Sequence, residues 1–277
     1  MDARGVHHQL VCQTTLWLVA LAGIAGYFIL RYIVLKLPAQ PVYTVGPLQI
    51  STFGPLVAMG ILFGTHLIST WCPYFGLEWS TLREGIVWLL LVGFGLAHLM
   101  AIGEESLANL LNPAKFFAIR ADFSSFGGFL GGTIAAVVFC KQRALAIRPT
   151  ADCLLYGFLG GWLFGRLGCF SVHDHPGIPT VLPTGVLIQG VLRHDLGLYE
   201  LVFTVGLFTF LTIAMQRRRH FDGFVVAVTA TTYAPVRFGL DFLRVGDGTY
   251  VGLTLAQWAC LPLCALGVHA FWCGWRR

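Results

Sequence analysis

The chain has 277 residues, of which 56% are hydrophobic and 11% are charged. Soluble domains carry about 25% charged residues, so this composition excludes an ordinary soluble enzyme. The net charge of +5 does not indicate a nucleic-acid partner, because the lysines and arginines are scattered over short loops and tails. Several apolar stretches reach about 20 residues, the length that crosses a bilayer. We therefore predict an all-α, polytopic membrane helix bundle embedded in the lipid bilayer.

Polar breaks divide the apolar sequence into eight candidate helices, which predict a bundle of 7–8 transmembrane helices. They cover residues 11–35, 52–72, 85–103, 124–140, 152–170, 198–215, 222–243 and 253–273. The first segment could be a secretory signal peptide. It is longer than such a peptide, however, and no clear small-residue cleavage site follows it. We interpret it as a retained helix.

The distribution of positive charge predicts the orientation, because cytoplasmic loops are enriched in Lys and Arg. If the amino terminus is cytoplasmic, ten of these residues fall on the cytoplasmic side and six on the outer side. The densest group is Arg217–Arg219, in a short loop on the cytoplasmic side. We predict that both termini are cytoplasmic and that the loop at residues 171–197 faces outward.

The fifth segment carries an arginine, Arg166, inside an apolar and glycine-rich run. A charge in a membrane segment is costly, so it is a functional candidate. Its guanidinium suits a phosphate or carboxylate, which it can bind through two parallel hydrogen bonds. The alternative is an arginine that extends to the membrane interface for structural reasons. Glycines 157, 161 and 165 share one helical face and favour close approach of a neighbouring backbone or lipid headgroup.

The seventh segment places Tyr233, Arg237, Asp241 and Arg244 on one helical face. Asp241 can pair with Arg237 or with Arg244. Such a cluster is either a self-neutralised structural element or a site that keeps positive charge for an anion. The predicted helices also place His98, Arg166 and Arg237 about 20 to 22 Å from the inner membrane edge. We expect these three residues to share a level in the outer half of the bilayer.

Other polar or reactive residues give weaker signals. The eight cysteines include no Cys-x-x-Cys pair, so we predict small buried side chains, without a disulfide framework or zinc site. His173, Asp174 and His175 resemble part of a metal site, but their spacing is not a strong zinc signature. We predict no metal and no cofactor. Gly127 to Gly132 is most simply a close helix-packing face.

With these motifs in view, the sequence resembles the bacterial prolipoprotein diacylglyceryl transferase family. The most specific match is Gly165–Phe170 followed by Asp174 and Gly177, which looks like the family's Gly-Arg-x-Gly-Asn-Phe signature. Weaker matches are Gly46–Ile50 leading into Ser51–Gly54, Leu198–Glu200, Tyr233–Phe238 with Asp241 and Arg244, and Gly252–Thr254 with Gln257. The resemblance covers residues 44–277 and makes residues 1–43 an additional transmembrane helix with its linker.

The chain departs from the family pattern at several positions. Cys169 stands where asparagine is common, and Asp174 and Asp241 stand where glutamates are usual. Phe126 occupies the place before Gly127-Gly128 where many members have a histidine thought to be catalytic. Gly95 stands where an arginine is expected. We expect a relocated histidine to supply the base instead of a loss of activity. The candidates are His98, His173, His175 and Asp174, of which the aspartate would need its pKa raised by burial.

The resemblance implies transfer of the diacylglyceryl group of phosphatidylglycerol to the lipobox cysteine of exported prolipoproteins, releasing glycerol phosphate. No external cofactor is implied. The candidate catalytic residues are Arg166, Asp174, Arg237 and His98. The candidate headgroup-binding residues are Arg166, Arg237, Arg244, Tyr233, Asp241, Gly127, Gly128, Gly165 and Gly168. The expected location is the bacterial cytoplasmic (inner) membrane. The alternatives are a divergent homologue that only binds lipid or uses another acceptor, and a small anion or lipid transporter.

Overall fold

The computed structural model describes residues 3–37, 42–45, 48–105, 109, 112, 123–218, 220–246 and 248–275. Some residues used in the sequence analysis lie outside that part of the chain. They are Gly46 and Pro47 of the family resemblance, and Lys115, Arg120, Arg219, Arg276 and Arg277 of the charge count, together with the side chain of Arg4.

Eight α-helices account for most of the described residues. They are α1 (Ala3–Phe28), α2 (Phe53–Trp71), α3 (Trp79–Glu105), α4 (Ser125–Gln142), α5 (Ile147–Val172), α6 (Leu196–Arg217), α7 (Phe224–Asp241) and α8 (Leu255–Trp275). Each apolar segment identified in the sequence is therefore helical. The largest difference in a boundary is at the start of α1, which was expected at residue 11 and lies at Ala3.

Six of these helices are long and apolar enough to cross a membrane. They are α2, α3, α5, α6, α8, and α1 together with the π-helical segment Ile29–Val34 that continues it. The chain is thus a multi-pass membrane protein. Helices α4 and α7 have 18 residues each and are not among the six helices whose length and apolar composition suit a membrane span. The total of 7–8 transmembrane helices stays a prediction.

Seven short strands, which the helical patterning did not predict, lie between the helices. They are β1 (Val42–Val45), β2 (Leu48–Ser51), β3 (Pro176–Pro179), β4 (Val186–Ile188), β5 (Val191–Asp195), β6 (Thr249–Tyr250) and β7 (Leu253–Thr254). All pairings are antiparallel, and the middle sheet has the order β3-β5-β4. Between β4 and β5, Gln189 and Gly190 both have positive φ, as a type I′ hairpin turn requires. The segment from 171 to 197 is therefore an ordered small sheet.

The chain divides into two compact units, residues 1–70 with 154–277 and residues 71–153. In the first unit, α2 and α5 pack through glycines. A Cβ on Gly60 would lie 2.5 Å from the carbonyl oxygen of Gly161, and one on Gly64 would lie 2.7 Å from that of Gly157. The predicted close-packing face is confirmed for Gly157 and Gly161. A Cβ on Gly165 would make only ordinary contact, with Trp162 at 3.6 Å.

Helix α1 and its π-helical end also belong to the first unit. The Trp17 ring lies 5.8 Å from Phe63 and 6.0 Å from Phe164, which attaches α1 to both α2 and α5. At the other end, the Tyr32 ring contacts Phe170 and lies edge-on, 4.4 Å from the His173 ring. Aromatic pairs of this kind add about 0.5–1.5 kcal/mol each to area burial. These contacts pack α1 and its π-helical end along α5.

In the second unit, α3 and α4 form a closely packed pair. A Cβ on Gly127 would lie 2.6 Å from the carbonyl oxygen of Leu96, and one on Gly131 would lie 2.7 Å from that of Val92. Because such distances leave no room for a side chain, the predicted helix-packing role of this glycine stretch is confirmed at Gly127 and Gly131. Gly128 is less restricted, since its added Cβ would lie 3.8 Å from that of Ala97.

Candidate functional site

Arg166 lies in the last two turns of α5 and is almost fully buried, with 5% of its surface exposed. Its guanidinium carbon lies 4.2 Å from the centre of the Trp162 ring, one helical turn earlier, in a cation–π arrangement. Its Nη1 donates to Cys169 Sγ at 3.6 Å. This burial disfavours an arginine that extends to the membrane interface.

Glu200 is the carboxylate that faces Arg166. It lies in the first turn and a half of α6, is 2% exposed, and has its Oε2 3.0 Å from Arg166 Nε. The angle at Nε makes this contact an ion pair instead of a directed hydrogen bond. The other carboxylate oxygen, Oε1, lies 3.6 Å from Arg237 Nε on α7. Glu200 therefore links the two arginines that the sequence analysis selected on different helices.

The face of α7 that carries Tyr233, Arg237 and Asp241 meets α6 and α8. The Tyr233 hydroxyl donates to Glu200 Oε2 at 2.8 Å, and Arg237 Nη1 donates to Asp241 Oδ1 at 2.5 Å. The spacing of four residues sets the second pair, because residues i and i+4 are neighbours on a helix. The sequence left open whether Asp241 pairs with Arg237 or Arg244, and the structure shows a pair with Arg237.

The start of α8 holds Asp241 in place. Thr254 donates its hydroxyl proton to Asp241 Oδ2 and accepts from the Gln257 backbone N–H at 3.1 Å. Gln257 Oε1 in turn accepts a hydrogen bond from the Thr254 backbone N–H at 2.9 Å, which completes a capping box. Its Nε2 donates to the Phe238 carbonyl at 3.2 Å, one of the unpaired carbonyls at the end of α7. The start of α8 thus positions both the Asp241 side chain and the carboxyl-terminal end of α7.

Two arginines and two carboxylates, Arg166, Arg237, Glu200 and Asp241, make this buried cluster formally neutral. A buried ion pair is weak evidence for stability, because desolvation opposes the Coulomb attraction. Charges placed together inside an apolar membrane protein are nevertheless functional candidates, so we treat the cluster as a candidate site. Guanidinium groups ordered by carboxylates are preorganised to meet an added anion such as a phosphate.

The segment from 171 to 197 is anchored by a second ion pair. His173 follows α5 with φ of +54°, and its Nδ1 lies 2.5 Å from Asp195 Oδ2. Asp195 also caps α6, since its Oδ1 accepts from the Leu198 N–H at 3.0 Å. Burial raises the pKa of the Asp195 carboxyl, and the hydrogen bond from His173 opposes that rise. The pair fixes the end of α5 to the start of α6, and so fixes Arg166 relative to Glu200.

Asp174 and Arg244 lie near this cluster but make different contacts. The Asp174 carboxylate pairs with His175 Nδ1 and interacts electrostatically with Arg166. The backbone of Arg244 pairs with Gly177 in an isolated bridge, which connects the end of α7 to the segment from 171 to 197. A Cβ on Gly168 would lie 3.0 Å from the Phe53 ring, so close packing accounts for that glycine.

The other predicted site residues, His98, Gly127 and Gly128, belong to the second unit. His98 lies on α3 with its ring centre 5.8 Å from that of Phe123, just before α4. The neighbouring Ala97 carbonyl accepts from the Ser124 N–H at 3.0 Å and fixes the start of α4. His98 is thus beside the α4 amino terminus, near Phe126 in the same unit. Its catalytic role stays a prediction.

The sequence analysis gave no role to Glu200, Thr254, Gln257 or Asp195. The first three appeared only as matching residues of the family resemblance. Glu200 carried the same signal as Arg166, because it is a lone charge in an apolar helix that has no other until Arg217. The capping pattern Thr-x-x-Gln was also visible before an apolar run. Applied to every helix, the rule that intramembrane charges are functional candidates would have selected Glu200.

The helices define a multi-pass membrane protein, and the buried cluster is its candidate site for an anionic group. A family model described as prolipoprotein diacylglyceryl transferase matches residues 40–273. The chain therefore belongs to the prolipoprotein diacylglyceryl transferase family, and it is a transferase.

Individual relatives agree with this assignment. The chain is 26% identical over 235 residues to a phosphatidylglycerol–prolipoprotein diacylglyceryl transferase of Aliarcobacter butzleri, covering 80% of this chain and 86% of the relative. It is 25% identical over 228 residues to the enzyme of that name from Finegoldia magna, with coverage of 82% and 92%. For the one from Cereibacter sphaeroides, identity is 31% over 191 residues, with coverage of 58% and 65%.

Proposed function

We propose that this protein transfers the diacylglyceryl group of phosphatidylglycerol to the lipobox cysteine thiol of an exported prolipoprotein and releases glycerol phosphate. The observation that carries the proposal is the buried Arg166–Glu200–Arg237 cluster in a member of this family. The names of the relatives supply the donor and the acceptor.

The chemistry requires a thiolate and a stabilised phosphate leaving group. The substrate sulfur attacks the glycerol carbon of the diacylglyceryl group, and the bond between that carbon and the phosphate oxygen breaks. The electron pair of the broken bond stays on the oxygen, where negative charge develops. Arg166 and Arg237 supply fixed positive charge there, with several N–H donors each. Because both guanidiniums are already ordered, little reorganisation accompanies the reaction.

Glu200, Tyr233 and Asp241 act as positioning residues in this proposal. Glu200 holds Arg166 and Arg237 at 3.0 and 3.6 Å, and Tyr233 holds Glu200. Asp241 fixes the other end of the Arg237 guanidinium. A guanidinium whose orientation is set in this way loses less entropy on binding a phosphate than a mobile one.

We place the site in the outer half of a bacterial cytoplasmic membrane, with both termini cytoplasmic and α4 and α7 as additional spans. The support is the Lys and Arg asymmetry, which puts the segment from 173 to 195 outside. Phosphatidylglycerol and an exported lipobox meet on that side.

Single cysteines introduced at 181 and 218, in a background lacking the natural cysteines, test this placement with a membrane-impermeant thiol reagent. Position 181 should react in intact cells and position 218 should not, and the reverse pattern would contradict the orientation.

The group that receives the thiol proton is proposed to be a histidine, with His98 as the first candidate. A histidine with a pKa of about 6.5 is well matched to a thiol near 8.5. His173 is a second candidate, because Asp195 holds its Nδ1 and its ring lies edge-on to that of Tyr32, although the side chain is buried. We expect His98→Phe to lower turnover by about 10²-fold or more, and Phe126→His to leave turnover unchanged or raise it modestly. A protein inactive as wild type but active as Phe126→His would instead mark a lipid-binding relative that has lost its base.

The direct test combines purified full-length protein, phosphatidylglycerol vesicles and a lipobox peptide, followed by mass spectrometry. The expected result is a diacylglyceryl adduct on the peptide cysteine and an equal amount of glycerol phosphate. A peptide with serine in place of the cysteine is the matched control and should stay unmodified. Absence of the adduct, with lipid binding retained, would favour the alternative of a homologue that binds lipid or uses another acceptor.

A further inference from the structure

Three potential metal ligands come together where α5 ends. Cys169 Sγ, a carboxylate oxygen of Asp174 and a ring nitrogen of His175 all lie within 4.8 Å of one another. Cys169 is buried, Asp174 is exposed and His175 is intermediate, so the group has a protein side and an accessible side. The Asp174 carboxylate interacts with the Cys169 thiol as well as with His175. The bend of the chain after Val172 makes this grouping, which is why the sequence spacing did not indicate it.

These donor atoms suit zinc. A thiolate, an imidazole and a carboxylate are all common Zn²⁺ ligands, and three protein ligands with a fourth position left open are typical of catalytic zinc sites. Donor atoms around tetrahedral zinc are about 3.3–3.8 Å apart, so a separation near the 4.8 Å limit has to shrink by on the order of 1 Å. The contact of 2.5 Å between His175 Nδ1 and Asp174 Oδ1 has to open when both side chains bind the metal. Asp174 and His175 lie in a segment outside the helices, where such an adjustment is small.

The surroundings also suit a divalent cation bound to a thiolate. Arg166 Nη1 lies 3.6 Å from Cys169 Sγ, so a fixed positive charge lies beside the donor sulfur. Zinc with one thiolate and one carboxylate has no net charge, so it does not repel the arginine. The group also lies beside the residue that the proposed function assigns to the lipid phosphate. An acceptor bound here would therefore be next to the donor headgroup.

We propose that Cys169, Asp174 and His175 form a zinc site whose open position binds the thiol of the acceptor cysteine. This inference rests on the proposed function and adds a second way to form the nucleophile, because a thiol bound to zinc is deprotonated outright. The S–H bond of the acceptor breaks as its sulfur binds the metal, and the proton passes to water. The sulfur then forms its bond to the glycerol carbon, and glycerol phosphate leaves with the electron pair of the broken carbon–oxygen bond. Zinc is neither oxidised nor reduced.

The first experiment measures zinc alone. Full-length protein, purified without a polyhistidine tag, is dialysed against buffered Zn²⁺ and its metal content is determined by mass spectrometry. We expect about one zinc per chain, and a loss of affinity of about 100-fold or more in Cys169→Ser, Asp174→Asn and His175→Gln, since even changes to residues that only hydrogen-bond a metal ligand cost about 10–100-fold. Cys264→Ser, which removes a thiol on α8, is the matched control and should bind like wild type. A wild-type protein without zinc, or an equal loss in Cys264→Ser, would overturn the site.

A second experiment tests the open position with Co²⁺ in place of zinc. Adding a lipobox peptide should change the cobalt absorption spectrum and add thiolate-to-metal absorption, whereas the serine-containing peptide should leave the spectrum unchanged. An identical spectrum with both peptides would overturn coordination of the acceptor thiol. Because this readout needs no turnover, it does not depend on the transfer reaction.

Transfer activity then separates the two proposals. We expect protein stripped of metal to form the diacylglyceryl adduct at least about tenfold more slowly, and added zinc to restore the rate in wild type but not in Cys169→Ser. Stripped protein that transfers at the full rate would overturn the zinc inference and leave the proposed function intact. Zinc bound through the three residues, without any adduct under any condition, would support the site and contradict the proposed function.

Discussion

Two ion pairs in different regions of the molecule show how burial changes the consequence of the same chemistry. Arg143 and Glu84 pair in the second unit with side chains that are 53% and 50% exposed, whereas Arg166 and Glu200 pair with side chains that are 6% and 2% exposed. Water screens the first pair, and such exposed pairs contribute about 0–1 kcal/mol. The second pair has lost its water, so removing one partner leaves a buried charge that nothing compensates. A substitution in the buried pair of Arg166 and Glu200 is therefore expected to disturb the candidate site, whereas one in the exposed pair is not.

The largest expected effect is on stability, from Glu200→Gln. Glutamine keeps an acceptor for Tyr233 but removes the charge that faces Arg166 and Arg237. We expect the free energy of unfolding to fall by about 3–5 kcal/mol. Denaturant unfolding in detergent measures this change. Glu84→Gln is the matched control and should change the free energy by at most about 1 kcal/mol. Equal losses in the two variants would mean that burial does not distinguish the two pairs.

The next effect is on activity, from Arg166→Lys. Lysine keeps the positive charge but loses the planar guanidinium that can bind phosphate through two hydrogen bonds. We expect turnover to fall by about 10²-fold or more, equivalent to about 3 kcal/mol in the transition state, with the protein still folded. The lipobox peptide assay measures the rate, and Arg143→Lys should match wild type. Wild-type turnover of well-expressed Arg166→Lys protein would remove Arg166 from the headgroup role.

A smaller effect is expected from Asp241→Asn. Asparagine keeps the size and an oxygen acceptor for Thr254, but it no longer neutralises Arg237. Arg237 stays near Glu200, so we expect a loss of turnover between that of wild type and that of Arg166→Lys. Rates at several phosphatidylglycerol concentrations would separate a change in KM from one in kcat. A loss as large as that of Arg166→Lys would show that Asp241 does more than orient Arg237.

The sequence predicted the parts of this structure that depend on short-range patterns. Apolar length located all eight helices, and helical spacing limited the partner of Asp241 to Arg237 or Arg244, of which the structure shows Arg237. The contact of Arg166 with Glu200 joins residues on two helices whose rotation about their axes is set by packing, which a nearly uniform apolar sequence such as α6 does not reveal. The grouping of Cys169 with Asp174 and His175 depends on the positive φ of His173, which no spacing rule supplied.

The capping box at the start of α8 has a consequence for biosynthesis. A chain emerges from the ribosome at about 5–20 residues per second, with its amino terminus first. Asp241 and the Phe238 carbonyl reach their partners only when Thr254 and Gln257 have been made, after every residue of the arginine cluster itself. A chain that stops before residue 254 therefore contains both arginines and both carboxylates but lacks the contacts that order the end of α7. The contacts that order the end of α7 therefore form only after residues 254 to 257 have been synthesised.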